Sequence, residues 1–331
     1  MINQSELNTL SKNDKIDHFL LIRRIELRST KSGNDFLSTE LGDKTASINA
    51  NIWEGFTEIA VRGKVGDVVK VTGTVEEYQG ALQIRVSSIR LALEKDKVKP
   101  QDFLPVSKRN PDEMKKEFNQ KLKSISEKHL KKLLPNIFNE DRFGKFCLVP
   151  AGKSWHHGYI HGLLEHTLEI IKICELMCEF HPELNRDLLI SGAMLHDLGK
   201  IEELSYDSAF EYTDKGKLIG HIVIASNLVR DEIKKLPDFP VELENNLIHL
   251  ILSHQGKLEH ASPVVPKTAE AITLYHADEL SAKVNAYKGA IEAELKPDSN
   301  WTKFIYLADT DLHKFSSPGS KVENSKESLF D

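Results

Sequence analysis

Cysteine is scarce in this sequence: three residues in 331, at positions 147, 174 and 178. That is too few, and too odd a number, for a disulfide framework. Cys174 and Cys178 fall at i and i+4 on one apolar helical face, so they read as small core residues. Long apolar runs are missing too, and none reaches the length needed to span a bilayer. The N-terminus Met1-Ile2-Asn3-Gln4-Ser5-Glu6 lacks the basic-then-apolar pattern of a secretory signal. These absences set aside secreted and membrane-embedded classes, and a cytoplasmic protein with no membrane partner is expected.

What is present is ordinary for a globular chain, with 40% hydrophobic and 28% charged residues. A chain of this length predicts two domains rather than one core. The net charge of −6 is unevenly spread. Residues 1–100 are balanced, with 15 Lys/Arg against 14 Asp/Glu; 101–145 carry 11 against 7, and 146–331 carry 18 against 29. The basic middle segment suits a phosphate backbone or a plain solvated helix face. The acidic remainder suits an anionic substrate only if bound cations reverse its field.

From about Asp17 to Leu93 the pattern is β. Apolar-rich or alternating runs fall at 18–27, 35–41, 45–53, 67–75 and 81–86, separated by turn signals at Ser32-Gly33-Asn34, Gly42-Asp43, Gly66-Asp67 and Gln79-Gly80. Five strands, with a longer insertion between the third and fourth (54–64), predict an all-β OB barrel over residues 15–93. Such barrels bind single strands by stacking bases on aromatics beside basic residues. Alternation places Trp53 opposite Ile48, Ala50 and Ile52, hence outside the barrel. Trp53 is therefore the candidate stacking platform, with Arg62, Lys64 and Arg85 as phosphate partners; packing in the barrel is the competing reading. Phe36 and Tyr78 read as core or turn residues.

Residues 1–14 read as polar and loose, and 94–112, with mixed charge and three prolines, as a linker. A basic helix is predicted from about Asp112 to Leu134, ended by Pro135. Helical periodicity then continues, giving an all-α second domain over 113–310. Trp301, Phe304, Ile305 and Tyr306 form an apolar patch expected to dock the last helix, and 316–331 read as a disordered tail.

The chemistry lies in Ser191-Gly192-Ala193-Met194-Leu195-His196-Asp197-Leu198-Gly199-Lys200, where a His and an Asp sit side by side near the end of an apolar helix, with Gly199 as its stop. His166 shares a helix face with Leu163 and Ile170, and Asp278 lies between Leu274 and Ala282 at i−4 and i+4. Leu247, Leu250 and Ile251 bring His254 to the end of its helix, where Gly256 can cap it. Any one of these alone is a satisfied core residue; together with His221 they form a convergent set whose burial as free charges would cost several kcal/mol. Imidazole nitrogen with carboxylate oxygen suits Mn, Fe, Co or Zn, and the two oxygens of Asp197 allow it to bridge two ions. His156, His157 and His161 precede the first of these helices. His157 and His161 read as residues that support the site or contact phosphate, with core or solvent roles equally open.

This set resembles the HD superfamily of metal-dependent phosphohydrolases. Around it, His161-Gly162-Leu163-Leu164-Glu165-His166-Thr167 and His276-Ala277-Asp278-Glu279-Leu280-Ser281-Ala282-Lys283 resemble the YhaM-type 3′-5′ exoribonucleases, which join an OB fold to an HD domain. The resemblance implies one ion on His166, His196, Asp197 and Asp278, and a second on Asp197, His221 and His254. Two such ions, about 3.5–4 Å apart, clamp the attacking and leaving oxygens of a phosphodiester. It also implies that Lys200 neutralises a phosphate oxygen in the transition state; the competing role is a lysine favoured by a helix C-terminus. Where related sites carry a His pair, this chain has His254-Gln255, which puts the filling of the second position in question. The expected function is a cytoplasmic exonuclease that uses two divalent ions, Mn first, to hydrolyse single-stranded RNA, or single-stranded DNA, to nucleoside monophosphates. Two alternatives stand beside it: a phosphodiesterase or nucleotidase for small nucleotides with a regulatory barrel, and a non-catalytic nucleic-acid-binding protein. A homo-oligomer is left open.

Overall fold

The computed structural model describes residues 4–30, 33–78, 80–153, 155–296 and 299–315. Strands β1 (Lys15–Ser29), β2 (Asp35–Gly42) and β3 (Ser47–Ile52) are followed by α1 (Thr57–Arg62), β4 (Val68–Tyr78) and β5 (Ala81–Leu91). They close into a barrel of order β1-β2-β3-β5-β4, with β4 returning to β1 and β3 parallel to β5. This is the five-stranded OB barrel expected. Ile48, Ala50 and Ile52 face its core, which Ile59 of α1 also enters from the insertion between β3 and β4. Gly73 is required where β4 meets β5, since a Cβ there would stand 2.4 Å from the Arg85 carbonyl oxygen.

The described part of the N-terminal segment is held, not loose. Leu7 and Leu10 are buried in the barrel core, and the Leu7 backbone N–H donates to Asp43 Oδ2 at 2.8 Å. Two leucines one turn apart supply enough apolar area to anchor an otherwise polar run. Residues 94–112 are packed as well. Phe103 and Leu104 are buried with Leu21 and Val68 of the barrel and with Ile160 and Phe210 beyond it. Val106 pairs in parallel with Ile160.

The single basic helix expected from Asp112 is two: α2 (Pro111–Lys123) and α3 (Lys128–Ile137). The break is made by Asp187, whose Oδ2 accepts from Ser126 N, Ser126 Oγ and Glu127 N, each at 2.7 Å. The Glu127 carboxylate then caps α3 by accepting from His129 N and Leu130 N. Pro135 lies inside α3 rather than ending it. Basic residues here meet acids of the same unit, Lys121 pairing with Glu175 and Arg109 with Glu117, each at 2.6 Å.

Next come α4 (Glu140–Leu148), α5 (Gly162–Phe180), α6 (Arg186–Leu195), α7 (Lys200–Glu203), the short pair β6 (Leu204–Ser205) and β7 (Glu211–Tyr212), α8 (Asp214–Ile219), α9 (His221–Ile233), α10 (Val241–Ser253) and α11 (Ala269–Glu294). Their apolar faces share one core that includes Leu163, Ile170, Leu189, Leu195, Leu250 and Leu274. Among the described residues no helix is long and apolar enough to cross a membrane. The chain forms two compact units, Met1–Ala282 and Lys283–Asp331. In the second, Thr302 is buried, but Trp301, Phe304 and Tyr306 are 46%, 51% and 90% exposed. The expected docking patch is therefore largely open to solvent: Trp301 packs on His313 and Phe304 on Tyr306. The segment 316–331 lies outside the described residues.

Candidate metal centre

Five helical segments deliver one cluster. His166 comes from α5, His196 and Asp197 from the turn after α6, His221 from the first position of α9, His254 from the C-cap of α10, and Asp278 from α11. His166, His196 and His254 are fully buried, and Asp197 is 2% exposed. Gly199 is helical, with φ −62°, so it is not a left-handed stop for α6. It is small because a Cβ would stand 2.0 Å from the His221 carbonyl oxygen, and this close approach seats α9 against the His196-Asp197 turn. Gly256 does adopt a positive φ of 75°, beneath the Tyr275 ring.

Asp197 sits at the centre. Its Oδ2 is 3.3 Å from His196 Nε2, 3.8 Å from His166 Nε2 and 2.6 Å from Lys200 Nζ. Its Oδ1 faces the other way, 3.3 Å from His221 Nε2 and 3.7 Å from His254 Nε2. Asp278 Oδ1 completes the first side, 3.0 Å from His166 Nε2.

The partners of the other ring nitrogens fix what these inner atoms are. His196 Nδ1 donates to the Ala193 carbonyl at 2.8 Å and His254 Nδ1 to the Ile251 carbonyl at 2.7 Å. His221 Nδ1 donates to Glu203 Oε1 at 2.9 Å. His166 Nδ1 donates to Ser281 Oγ at 3.0 Å, and Ser281 in turn donates to Glu169 Oε2 at 2.7 Å. In a neutral ring that carries its proton on Nδ1, Nε2 is a bare lone pair. The Nε2 atoms of His166, His196 and His221, together with Asp197 Oδ1, are buried without a hydrogen-bond partner among the described residues. Lone pairs facing lone pairs repel unless a cation lies between them, so this donor set fits a divalent metal. His166, His196 and Asp197 form one compact ligand group, and Asp197, His221 and His254 another.

The electrostatics agree. Burial alone would raise Asp197, yet Lys200, His196 and His221 hold its carboxyl well below the usual carboxylate range. Burial would lower Lys200 and His196, but Asp197 raises both. Burial, with His157 and His196 nearby, keeps His166 well below an ordinary imidazole, and burial beside His196 takes His254 down to about 4. A field that draws protons to His196 and Lys200 also draws a metal cation.

Several residues here escaped sequence reasoning. Glu169 and Ser281 lie at i+3 from His166 and Asp278, and Glu203 at i+3 from Lys200, so each shares its neighbour's helix face. A polar side chain one turn from a candidate ligand was the available signal. His156 was also passed over; its ring centroid is 5.2 Å from that of His166, and burial and then Lys200 push it down to about 3. His157 is buried with Nε2 3.3 Å from Glu169 Oε2, beside His166. His161 turns elsewhere: its left-handed backbone at the N-cap of α5 aims Nδ1 at the Cys147 carbonyl at the end of α4. That bond occupies Nδ1 alone, and the ring is partly exposed. The Gln255 amide Nε2 lies 3.1 Å from His254 Nε2.

On the barrel, a groove of about 370 Å³ runs over the outer face of the strands, lined by Arg24, Arg28, Phe36, Asn49, Asn51, Tyr78 and Gln83 among others. Trp53 is 55% exposed, and its ring stacks on Phe36 at 4.5 Å and 24°. Arg85 is exposed beside Asn51 in register. Phe36 is thus half-buried under Trp53, and Tyr78 is 60% exposed at its turn, so neither belongs to the core. Arg62 and Lys64 lie off the strand face, Arg62 on α1 beside Glu58 at 3.3 Å and Lys64 in the turn that follows.

Two family models match the chain: an OB-fold nucleic acid binding domain over residues 21–92 and an HD domain over 163–283. A 3′-5′ exoribonuclease YhaM from Geobacillus sp. is 33% identical over 298 residues, which is 89% of this chain and 90% of that protein. The chain belongs to the YhaM family. The YhaM of Shouchella clausii is 34% identical over 94% of this chain and 96% of its own, and that of Bacillus subtilis 32% over 91% and 95%. The HD domain of this YhaM-family chain carries divalent-metal dependence, to which the His/Asp cluster conforms. Its barrel is of a nucleic-acid-binding class.

Proposed function

We propose that this chain is a 3′-5′ exoribonuclease that hydrolyses single-stranded RNA to nucleoside monophosphates with two divalent ions, Mn foremost. One observation carries the reading: Asp197 points one oxygen at His166 and His196 and the other at His221 and His254, with the inner nitrogens of His166, His196 and His221 buried and, among the described residues, without a hydrogen-bond partner. His166, His196, Asp197 and Asp278 would hold the first ion, and Asp197, His221 and His254 the second. Bound there, the ions supply Lewis-acid polarisation of a phosphodiester and a nucleophile at neutral pH. The chain's own residues do the rest. Lys200, buried and kept charged by Asp197, steadies that carboxylate and offers positive charge to a phosphate oxygen. Ser281, Glu169 and Glu203 hold the rings in place. The barrel face with Trp53, Phe36, Arg85 and Arg24 would hold the strand upstream of the cut, stacking bases while arginines meet phosphates.

A polymer substrate, rather than a free nucleotide, is favoured by that second surface. A cytoplasmic setting goes with the free cysteines, two of them buried. The test is incubation of the purified chain with Mn and 5′-labelled single-stranded RNA, with single-stranded DNA in parallel. Stepwise shortening from the 3′ end with release of nucleoside monophosphates is expected. Internal cleavage, or hydrolysis of small nucleotides only, would overturn it.

A further inference from the structure

His156 has no task in the reading above, yet it is built into the site. It stands in the segment before α5, with its ring 5.2 Å from His166 and 5.8 Å from His157, centroid to centroid. Its Nδ1 is buried and, among the described residues, has no hydrogen-bond partner. A buried imidazole nitrogen with nothing to bind costs stability, and such an atom calls for a ligand. One nitrogen from each of His156, His157 and His166 lies within 4.8 Å of the others, a separation compatible with a shared ion. Of the two neighbours of His166, His157 already faces Glu169, the carboxylate that also receives Ser281. Among the described residues His156 faces no such carboxylate. Gly152 packs against the His156 backbone, where a Cβ would lie 3.1 Å from the carbonyl oxygen.

We propose that His156 is a further ligand, through its buried Nδ1, to the ion held by His166, His196, Asp197 and Asp278. The inference rests on the metal reading of that centre and extends its donor set from four side chains to five. The difference has chemical content. Four protein ligands close a tetrahedron, the arrangement of structural zinc, whereas five with one position open suit the six-coordinate habit of Mn, Fe or Co. The open position is then the one a phosphate oxygen can enter. His156 would thereby bias the site toward those metals and away from four-coordinate zinc.

The experiment uses the full chain, stripped with chelator and titrated with Co(II) alone, reading affinity and visible absorption, which is weak for six-coordinate and strong for four-coordinate cobalt. In His156→Ala and His156→Gln, affinity should fall by at least the roughly tenfold that loss of an outer-shell partner already costs. The absorption should rise in intensity in both. Melting curves of the metal-free proteins accompany the titrations, and if the alanine variant melts far lower, His156→Gln decides alone. Wild-type affinity and an unchanged spectrum in the glutamine and alanine variants would overturn the proposal. Asp197→Ala is run alongside and should lose the ion altogether. If it binds cobalt as the wild type does, the centre itself is misread and ligation by His156 falls with it.

Discussion

A single oxygen of Glu203, Oε1, receives both the backbone N–H and the ring Nδ1–H of His221, each at 2.9 Å. The carboxylate therefore sets the start of α9 and the direction of the imidazole together, and leaves Nε2 facing Asp197. Glu203→Ala frees the ring without removing any metal donor. Its expected effect is a loss of roughly 10–100-fold in affinity for the second ion or in activity, the usual cost of an outer partner. The Mn dependence of RNA hydrolysis measures it: the half-saturating Mn concentration should rise while saturating Mn restores much of the rate. An unchanged Mn dependence would detach Glu203 from the site.

The buried histidines make the metal-free protein sensitive to acid. Burial, then neighbouring rings, lowers His166 and takes His254 to about 4, against about 6.5 in an unfolded chain. Below about 6.5 the unfolded state binds protons that these folded groups refuse, so their stability contribution is present above that pH and is lost as pH falls toward 4. His196, raised by Asp197 against its burial, acts in the opposite sense: its contribution is full below about 6.5 and is lost as pH rises through its folded value. Asp197, held low, loses its contribution only further down, as pH falls through its own folded value below the ordinary carboxylate range near 4. His156, which burial and then Lys200 take to about 3, acts in the same sense as His166 and His254. These lowered rings outweigh the single raised one, so the metal-free melting temperature should be lower at about pH 5 than at about pH 7.5. With Mn the drop should be steeper, because protons compete for the same nitrogens. A melting temperature that rises on acidification would contradict these burial effects.

The parts of this fold that were legible are those each segment writes into its own periodicity. The alternation of Ile48, Ala50 and Ile52 places the inner face of β3, and helical spacing places His166 and Asp278 inward. What escaped depends on partners far away in the chain. Nothing near Ser126 announces that Asp187, some sixty residues on, will end α2 there and free Glu127 to cap α3. His161 looks like its neighbours in sequence, but its Nδ1 meets the Cys147 carbonyl at the end of α4, fourteen residues back. Gly199 reads as a helix stop and is instead the contact point for α9. Periodicity reports which face a residue occupies, not which atom meets it there.

Asp197→Asn separates charge from shape at the centre. The amide keeps the volume and one acceptor oxygen, but it cannot present two anionic oxygens to two groups of imidazoles. Lys200 then faces a neutral partner at 2.6 Å, so the buried ammonium loses the charge that raises it. Hydrolysis should fall by well over the 10–100-fold of an outer-partner loss, and bound metal measured by atomic emission should fall with it. Full activity with a full metal complement would remove Asp197 from the site.

Trp53 tests the barrel face. It follows β3 with more than half its surface exposed and stacks on Phe36 at 4.5 Å, and Phe36 in turn lines the groove. A base stacked on an aromatic ring is worth about 1–3 kcal/mol. Trp53→Ala should thus weaken binding of a labelled single-stranded oligonucleotide roughly five- to hundredfold, since about 1.4 kcal/mol is a factor of ten. The folded protein gives up only the stacking on Phe36, about 0.5–1.5 kcal/mol, because Ile48, Ala50 and Ile52 carry the core on the opposite face. The melting temperature should therefore move by only about 1–6 °C. Turnover of a short RNA at saturating concentration should hardly change, as the ring is no part of the metal cluster. Fluorescence anisotropy and a melting curve on the same preparation give both numbers. A large fall in melting temperature with unchanged affinity would make Trp53 a structural lid on Phe36 and move strand binding to another face of the barrel.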